Sequence, residues 1–268
     1  MLELYANHLP IHHTIDTPHS NNFHRHMHNE YELLYFVRGN AEYIIEGSVY
    51  KLRPGDLLFI HPRKFHYLKP ISDAPYERFV IHFGQDTIPE SLHDFINNSK
   101  EIYRISKGSF ADKFFEMWTE AEAMFSDNEL KEYLKNAFLT VLLCLKYLPD
   151  EDKIAPIRQD MTLESILKYI DSHPAEQLTA DALSAKFFIS TSWIVHMFKK
   201  NLGISLMQYI HKKRILYAEE LLHGGMTPTE VAKLCNYDSY STFYRQYNKI
   251  LGYSPAHTYS ESRAKEKA

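Results

Sequence analysis

The chain contains 268 residues, of which 44% are hydrophobic and 24% are charged, as is usual for globular proteins that fold in water. This length predicts two domains, because single domains mostly span about 100 to 200 residues. The net charge of −4 excludes a protein whose whole surface binds nucleic acid through positive charge. The segment between Lys186 and Lys249 has more than twice as many basic as acidic side chains, so a local nucleic-acid interface stays open.

Cysteine usage and apolar runs predict a cytoplasmic protein without membrane contact. Cys144 and Cys235 lie far apart and fit neither a disulfide framework nor a CxxC metal site, which favours a reducing compartment. The first residues, MLELYANHLP, lack the cationic start and apolar core of a signal peptide. The apolar run AFLTVLLCL at 137–145 is shorter than the ~20 residues that span a membrane.

Histidines recur through the N-terminal segment. Residues 24–39 read HRHMHNEYELLYFVRG, in which His24, His26 and His28 alternate and Glu32 has the same parity. Side chains of one parity share a face of a strand, and histidines with a carboxylate at this spacing are able to hold a divalent metal. We expect the leader before them to be irregular, with histidines that are exposed or form an arm over a cavity. These are His8, His12, His13 and His19.

Residues 30–83 alternate apolar and polar side chains and predict the short strands YELLYFV, AEYIIEG, SVYKL, DLLFIH and ERFVIHF. Turn signals separate these strands, and closely spaced short strands are typical of a sandwich or barrel. If one face lines a barrel, it gathers polar side chains in a cavity. We expect this cavity to hold His26, His28, Glu32 and Arg38, with His66 and His82 as further candidates.

After residue 109 the periodicity becomes helical. FADKFFEMWTEAEAMF at 110–125 and ELKEYLKNAFLTVLLCLKYL at 129–148 each predict a helix. The second carries a wide apolar stripe, which either packs on its own domain or pairs with a second chain. PDEDKIAPIRQD at 149–160 ends the pattern with prolines and charges. We therefore predict one domain at 1–150, a linker at 151–160 and a second domain at 161–268.

The second domain is predicted to be entirely helical. TLESILKYIDSH at 162–173 is a helix for which Thr162 is the expected N-cap. Two helix–turn–helix units follow at about 179–202 and 227–251, with Thr179, Ser190 and Thr227 as expected N-caps. Between them, residues 204–225 predict one long helix of about 18 residues, which is ~27 Å long at 1.5 Å per residue.

The two units repeat at an interval of 49 residues. Phe198 aligns with Tyr247, Gly203 with Gly252 and His196 with Arg245. A repeat is stronger evidence than either copy alone. In a helix–turn–helix unit the second helix lies in the major groove of DNA. Two units on a rod of this length are able to enter successive groove segments, which recur every ~34 Å.

At these residues the chain resembles the AraC/XylS class of bacterial transcription regulators, whose DNA-binding domain contains two helix–turn–helix units. The resemblance covers roughly 162–262 and rests on ISTSWIVHMFKKNLGISLMQYIHKKRILYAEELL and EVAKLCNYDSYSTFYRQYNKILGYSPAHTY. It implies that DNA bases face Thr191, Ser192, Val195 and His196 in the first unit and Tyr240, Ser241, Thr242, Tyr244 and Arg245 in the second. It assigns phosphate contacts to Lys199, Lys200 and Lys249. The second unit departs from the class with Tyr247-Asn248, where Phe-Lys is usual.

The N-terminal segment resembles a cupin barrel. HMHNEYELLYFVRG is similar to the first cupin motif, and RPGDLLFIHPRKFH is similar, more loosely, to the second. In metal-binding cupins the matching positions here are His26, His28, Glu32 and His66, a set that suits iron, manganese, nickel or zinc. In sensor members of the AraC class a similar barrel binds a small effector, often a sugar, without metal. We predict an effector pocket without a cofactor, and a divalent metal in the same cavity is the alternative.

The sequence thus predicts an α+β protein. An N-terminal cupin-like β-barrel with a helical dimerisation segment precedes an all-α C-terminal domain with two helix–turn–helix units. The expected function is that of a sequence-specific DNA-binding transcription regulator that responds to a small-molecule effector, with a sugar as the expected class, and not that of an enzyme. The expected partners are double-stranded DNA, a small-molecule effector, a second copy of the chain and RNA polymerase. Two alternatives stay open: a metal-dependent cupin enzyme (an isomerase or dioxygenase) with a helical appendage, and a DNA-binding protein whose barrel is only a dimer scaffold.

Overall fold

The computed structural model describes residues 2–6, 9–17, 25–148 and 154–265. The chain divides into two compact units, Met1–Gln159 and Asp160–Ala268. Among the described residues, no helix combines the length and apolarity that crossing a bilayer requires. The mixed α+β class expected from the sequence is confirmed, with strands gathered in the first unit and helices alone in the second.

Antiparallel strands build the first unit. Their bounds are β1 Leu2–Ala6, β2 Leu9–Asp16, β3 Tyr31–Arg38, β4 Ala41–Ile45, β5 Ser48–Lys51, β6 Asp56–Ile60, β7 His66–Pro70, β8 Tyr76–Phe83 and β9 Ile102–Arg104. Those described form a larger sheet in the order β1-β2-β8-β3-β6-β9 and a smaller one in the order β5-β4-β7. The strands predicted within 30–83 are all confirmed, and β1, β2, β7 and β9 are additions to them.

Strand β3 is buried on both faces. Leu34 and Phe36 belong to a core that contains residues of both sheets. Leu33 and Tyr35 point the other way, into a core shared with helices. The sequence of β3 is apolar on both parities because each face of the larger sheet is covered. The polar exception among its central residues is Glu32, which is 3% exposed.

Helices cover the second face of the larger sheet. The helices of the first unit are α1 His93–Asn97, α2 Phe110–Met124 and α3 Asp127–Lys146. The apolar stripe of α3 is buried in the core beneath these helices, and its members are Leu130, Leu134, Phe138, Val141, Leu142 and Leu145. Of the two readings of this stripe, packing on its own unit is therefore confirmed. The expectation of a helical dimerisation segment stays a prediction, and an interface there would have to use other side chains of these helices.

Two predictions about irregular segments need correction. His12 and His13 lie in β2, and His13 Nε2 is 3.1 Å from Glu77 Oε1, so this part of the leader is a paired strand. His8, His19 and His24 lie outside the described residues. The end of the predicted linker is also paired, because Val49 N donates to Arg158 O at 2.9 Å.

The second unit is helical. Its helices are α4 Met161–Ser172, α5 Ala180–Phe187, α6 Thr191–Asn201, α7 Leu206–His223, α8 Pro228–Leu234, α9 Tyr240–Leu251 and α10 Pro255–Lys265. The expected N-caps Thr179, Ser190 and Thr227 are confirmed, since each side-chain oxygen accepts a backbone amide proton from three residues ahead. The N-cap of α4 is Asp160 instead of Thr162, because its carboxylate accepts from two amides at once.

The two helix–turn–helix units share their turns as well as their caps. The turn before α6 contains Phe188 at φ 55°, and the turn before α9 contains Asn236 at φ 53°. Both helices are followed by a glycine at positive φ, Gly203 at 73° and Gly252 at 85°, as predicted. A side chain is strained in this left-handed region and glycine is not, so the glycines end the helices at equivalent places.

Candidate nucleic-acid interface and effector site

Helices α6 and α9 each bury one face and expose the other. Ile194 and Phe198 of α6 are 0% exposed, as are Phe243 and Tyr247 of α9. Burial at a spacing of four residues fixes the inward face of each helix, and the residues between them point to solvent. These exposed residues are therefore candidates for contacts within a groove of double-stranded DNA.

Most of the sequence-predicted DNA contacts lie on these exposed faces. On α6 the exposed members are Ser192, Val195, His196, Lys199 and Lys200. On α9 they are Tyr240, Ser241, Tyr244, Arg245 and Lys249. Thr191 and Thr242 are half-buried, and their hydroxyls contact Asp181 Oδ1 at 3.1 Å and Ser239 Oγ at 3.0 Å. Both hydroxyls are thus already engaged close to the starts of the helices.

The two exposed faces correspond position by position. An interval of 49 residues relates Ser192 to Ser241, Val195 to Tyr244, His196 to Arg245 and Lys200 to Lys249. Lys199 corresponds to Asn248, so the first unit has one more cation at the end of its helix. Each unit offers polar groups along the helix and a cation near its end, the arrangement needed for base contacts flanked by phosphate contacts.

Helix α7 supports both α6 and α9, because it packs against α6, α8, α9 and α10. Two of its cations are buried, one paired with the last turn of α4 and the other with the chain that follows α4. Lys213 is 1% exposed and donates to Asp171 Oδ1 at 3.0 Å. Arg214 Nη2 donates to the Glu176 carbonyl at 2.8 Å. Buried charges with such partners fix the rotation of α7 about its axis.

A polar cluster in the first unit surrounds the carboxylate of Glu32. Its Oε2 lies 3.1 Å from His28 Nε2, 3.2 Å from His66 Nε2 and 3.1 Å from His82 Nε2. His26 joins the cluster through His66, with 3.1 Å between their Nε2 atoms. The structure therefore brings together five of the six side chains that sequence reasoning assigned to an effector pocket.

The electrostatics of this cluster depend on the imidazoles. Burial alone would raise the pKa of the Glu32 carboxyl, but the charge of His66 and hydrogen bonds from His28, His66 and His82 hold it well below its usual value. Burial lowers the pKa of His82, but the hydrogen bond to Glu32 and the Glu32 charge raise it by a larger amount, so the net shift of this pKa is upward. Glu32 is thus an anion that the surrounding rings stabilise.

Arg38 does not belong to this cluster. The pairing of β3 with β8 shifts register between Phe36 and Arg38, and a bulge of this kind changes which face the next side chain points to. The Arg38 side chain is 59% exposed, and its Nε donates to Glu77 Oε2 at 2.5 Å. The expectation that Arg38 lines the cavity is wrong for this reason.

Sequence reasoning missed two features of the first unit. Tyr43 OH donates to Glu32 Oε1 at 3.3 Å and completes the cluster. A cavity of about 420 Å³ lies on the opposite face of β3, and its lining includes Tyr35, Phe115 and Glu116. The alternation of AEYIIEG could have shown that Tyr43 points to the same side as Glu32. The sequence has no such signal for the cavity, because the cavity depends on how α2 packs on the sheet.

Two family models match the chain. A model described as the AraC-like ligand binding domain matches residues 9–137, and a model described as a helix-turn-helix domain matches residues 183–260. The first range contains the Glu32 cluster, and the second contains the exposed faces of α6 and α9. Together the two ranges span most of the chain, in the order that the two units have.

Three relatives align with most of this chain over most of their own length. The chain is 27% identical to the probable transcriptional regulator LumQ of Photobacterium leiognathi, over 85% of this chain and 89% of that protein. It is 23% identical to the HTH-type transcriptional regulator YdiP of Escherichia coli K12, over 86% and 79% respectively. It is 19% identical to the HTH-type transcriptional activator RhaS of Escherichia coli O139:H28, over 87% and 86%.

Proposed function

Because the chain belongs to the AraC family of DNA-binding transcription regulators and is not an enzyme, we propose that α6 and α9 read two neighbouring segments of one promoter site. The observation that carries this proposal is the position-by-position equivalence of their exposed faces. A metal-dependent enzyme with a helical appendage would have no use for two equivalent polar faces on one rod.

Each helix is proposed to contact bases with some of its exposed residues and phosphates with others. Ser192, Val195 and His196 of α6 meet base edges, as do Ser241, Tyr244 and Arg245 of α9. Thr191, Tyr240 and Thr242 lie at the helix starts, where they contact bases or the adjoining backbone. Lys199, Lys200 and Lys249 contact phosphates, which adds affinity but little sequence information. Arg245 suits a bidentate contact with guanine, worth ~1–3 kcal/mol of discrimination.

The test begins with selection of a preferred duplex from random sequences by the purified full chain. Arg245→Ala is expected to lose ~1–3 kcal/mol of binding free energy and to relax the preference at one base pair. Lys168→Ala is the matched control, because Lys168 is an exposed cation on α4, outside both faces. Equal affinity and equal base preference in wild type and Arg245→Ala would show that the assignment is wrong.

For the first unit we propose a small hydroxylated effector, with a sugar as the class. The Glu32 cluster combines a carboxylate, imidazoles and the Tyr43 hydroxyl, which both donate and accept the hydrogen bonds that hydroxyl groups need. The effector would shift the equilibrium between DNA-binding states of the chain. The free energy of that shift is no larger than the difference between the effector's binding free energies for the two states.

Thermal-shift screening of sugars and aromatic acids tests this proposal, since a ligand that binds only the native state raises the unfolding midpoint. A sugar-induced shift is expected in wild type and in Glu116→Gln, but not in Glu32→Gln. Glu116 lines the cavity on the other face of β3 and serves as the control. A shift that Glu116→Gln loses and Glu32→Gln keeps would place the effector in that cavity instead.

The remaining proposals concern assembly and output. We propose a homodimer that activates transcription with RNA polymerase in the cytoplasm, where promoter DNA lies. The similarity to RhaS, which is a transcriptional activator, supports this output. The interface must use side chains other than the buried stripe of α3. Light scattering of the full chain measures the oligomeric state, and limited proteolysis tests the proposed domains 1–150 and 161–268, which predict cleavage within 151–160.

A further inference from the structure

A cavity of about 420 Å³ lies between the larger sheet and α2, on the face of β3 opposite the Glu32 cluster. Its volume is within the range of roughly 300–1,000 Å³ that small-molecule sites have. Tyr35 lines this cavity. Because successive side chains of a strand point to opposite faces, Tyr35 and the even-numbered Glu32 lie on different sides of β3. The cavity is therefore separate from the effector site proposed above.

The walls of this cavity are mostly apolar and aromatic. The rings of Tyr35 and Phe115 stack with centroids 4.0 Å apart, and the ring of Phe79 lies 5.6 Å from that of Phe115. Val37 and Ile105 add aliphatic surface. Walls of this kind bury the hydrocarbon or aromatic body of a ligand, and the faces of aromatic rings also attract cations.

Two carboxylates of α2 face the same cavity. Asp112 and Glu116 are four residues apart, so they lie on one side of the helix, where like charges repel each other. Asp112 is only 8% exposed, and its oxygens accept from the Tyr35 hydroxyl and the Gly108 amide, both at 2.7 Å. These donors are neutral, and in the described part of the chain neither carboxylate has an ion-pair partner. Because buried carboxylates are rarely left without a cation, a ligand that brings one is favoured here.

The hydroxyl of Tyr35 responds to both carboxylates. Burial raises the pKa of this hydroxyl, and the hydrogen bond to Asp112 and the charges of Asp112 and Glu116 raise it further. The two carboxylates therefore act on the cavity wall as anions.

The other charged side chains of the lining do not cancel this negative charge. Glu77 already pairs with Arg38, whose Nε lies 2.5 Å from its carboxylate. Lys107 is exposed and has no ion pair within the described residues. The two carboxylates of α2 and the one ammonium of Lys107 leave a net charge of −1, which a single monocation balances.

We propose that this cavity is a second small-molecule site, which binds an organic monocation with an apolar body, such as an arylalkylamine. The ammonium group lies between Asp112 and Glu116, because a carboxylate oxygen has two lone pairs and those of Asp112 can accept from a further donor. The apolar body lies against the rings of Phe79 and Phe115. A ligand with an acidic group would instead add a like charge to the two carboxylates. Amine binding of this kind does not depend on how the second unit contacts DNA.

Isothermal titration calorimetry of the purified full chain tests this site with 2-phenylethylamine, 2-phenylethanol and 3-phenylpropanoate. These probes share a phenyl ring and an ethylene chain, but they carry a positive charge, no charge and a negative charge respectively. One amine per chain is expected to bind, at least ~5-fold more tightly than the alcohol, because only the amine pairs with the carboxylates. The acid is expected to bind more weakly than the alcohol.

Charge variants around the cavity locate the bound amine. Glu116→Lys should weaken amine binding by roughly 3- to 10-fold, because it replaces a partner of the ammonium with a like charge. Glu120→Lys is the matched control, since Glu120 is exposed one turn further along α2 and does not line the cavity. Its affinity should stay within a factor of about 2 of the wild type, because water and salt screen a charge at that place. Lys107→Gln should tighten amine binding, and circular dichroism verifies that each variant folds.

Several results would contradict the second site. Absence of saturable amine binding up to ~10 mM would overturn it outright. Equal affinity of the wild type for the amine and the alcohol, or tightest binding of the acid, would overturn the cationic class of ligand. Equal amine affinities of Glu116→Lys and Glu120→Lys, or weaker amine binding by Lys107→Gln, would overturn the placement in this cavity. If Glu32→Gln abolishes amine binding and Glu116→Lys does not, the amine lies in the histidine cluster and the proposal is wrong.

Discussion

Ser190 and Ser239 cap helices α6 and α9 in the same way. Ser190 Oγ accepts from Trp193 N at 3.1 Å, and Ser239 Oγ accepts from Thr242 N at 3.2 Å. Each serine therefore fixes the first turn of a helix whose next residues are the proposed base contacts. The two caps lie 49 residues apart, so the repeat extends to the hydrogen bond that starts each helix.

We expect Ser190→Ala and Ser239→Ala each to lower the free energy of unfolding of the full chain by ~1 kcal/mol, because a buried or terminal amide loses its acceptor. Ser→Gly at the same positions should cost only a few tenths of that amount, which makes it the matched control. Urea unfolding followed by circular dichroism measures both. Equal losses for Ala and Gly would contradict the capping role.

Replacement of Phe188 should stabilise the protein. Phe188 has φ 55° and ψ 41° and is 94% exposed, so its side chain contributes little burial while its backbone is strained. The equivalent turn has Asn236 at φ 53°, a residue type that tolerates this region better. Phe188→Asn is expected to raise the free energy of unfolding by ~0.5–1 kcal/mol. Phe187→Asn, one residue earlier in α5, is the comparison and should not stabilise.

The salt dependence of duplex binding should report the phosphate contacts. Lys200→Ala and Lys249→Ala are each expected to reduce the slope of log affinity against log salt by about 1, with little change in base preference. Because the two lysines occupy equivalent positions, the reductions should be similar, and the double variant should lose about 2. If a variant has the same slope as the wild type, the lysine that it lacks does not contact phosphate.

Acid should destabilise the second unit partly through His211. Burial and then the neighbouring Arg214 charge lower the pKa of His211 below its usual value. A histidine with a lowered folded-state pKa favours the native state above its unfolded pKa, and this contribution is lost as the pH falls. His211→Gln should therefore show a smaller fall in melting temperature between pH 7 and pH 5 than the wild type. An identical fall in the two proteins would show that His211 carries no linkage.

The elements with a repeated or long pattern could be predicted from sequence. Helices α6, α7 and α9 follow from caps, glycines and the 49-residue repeat, and the exposed faces follow from helical periodicity. The apolar stripe of α3 was ambiguous, because periodicity reveals a buried face but not the surface that buries it. The structure supplies that surface, which is the outer face of the larger sheet.

The misses in the first unit have local physical causes. Strand β2 contains Pro10 and two adjacent histidines, which mask the alternation of a strand, and its pairing with β8 is a long-range contact. Strand β7 ends at Pro70 and is short, so its pattern is weak. The bulge after Phe36 turned Arg38 outward, and parity counting assumes an unbroken strand. The same counting succeeded for Glu32 because it precedes the bulge.

Strand β3 connects the two sides of the first unit. Glu32 belongs to the histidine cluster on one side, and on the other side Tyr35 stacks on Phe115 of α2 with ring centroids 4.0 Å apart. Tyr35 also donates to Asp112 Oδ1 at 2.7 Å, so the strand and the helix are joined by a ring contact and a hydrogen bond. A ligand that displaces the Glu32 backbone is therefore expected to shift α2 as well, because the same strand contacts both.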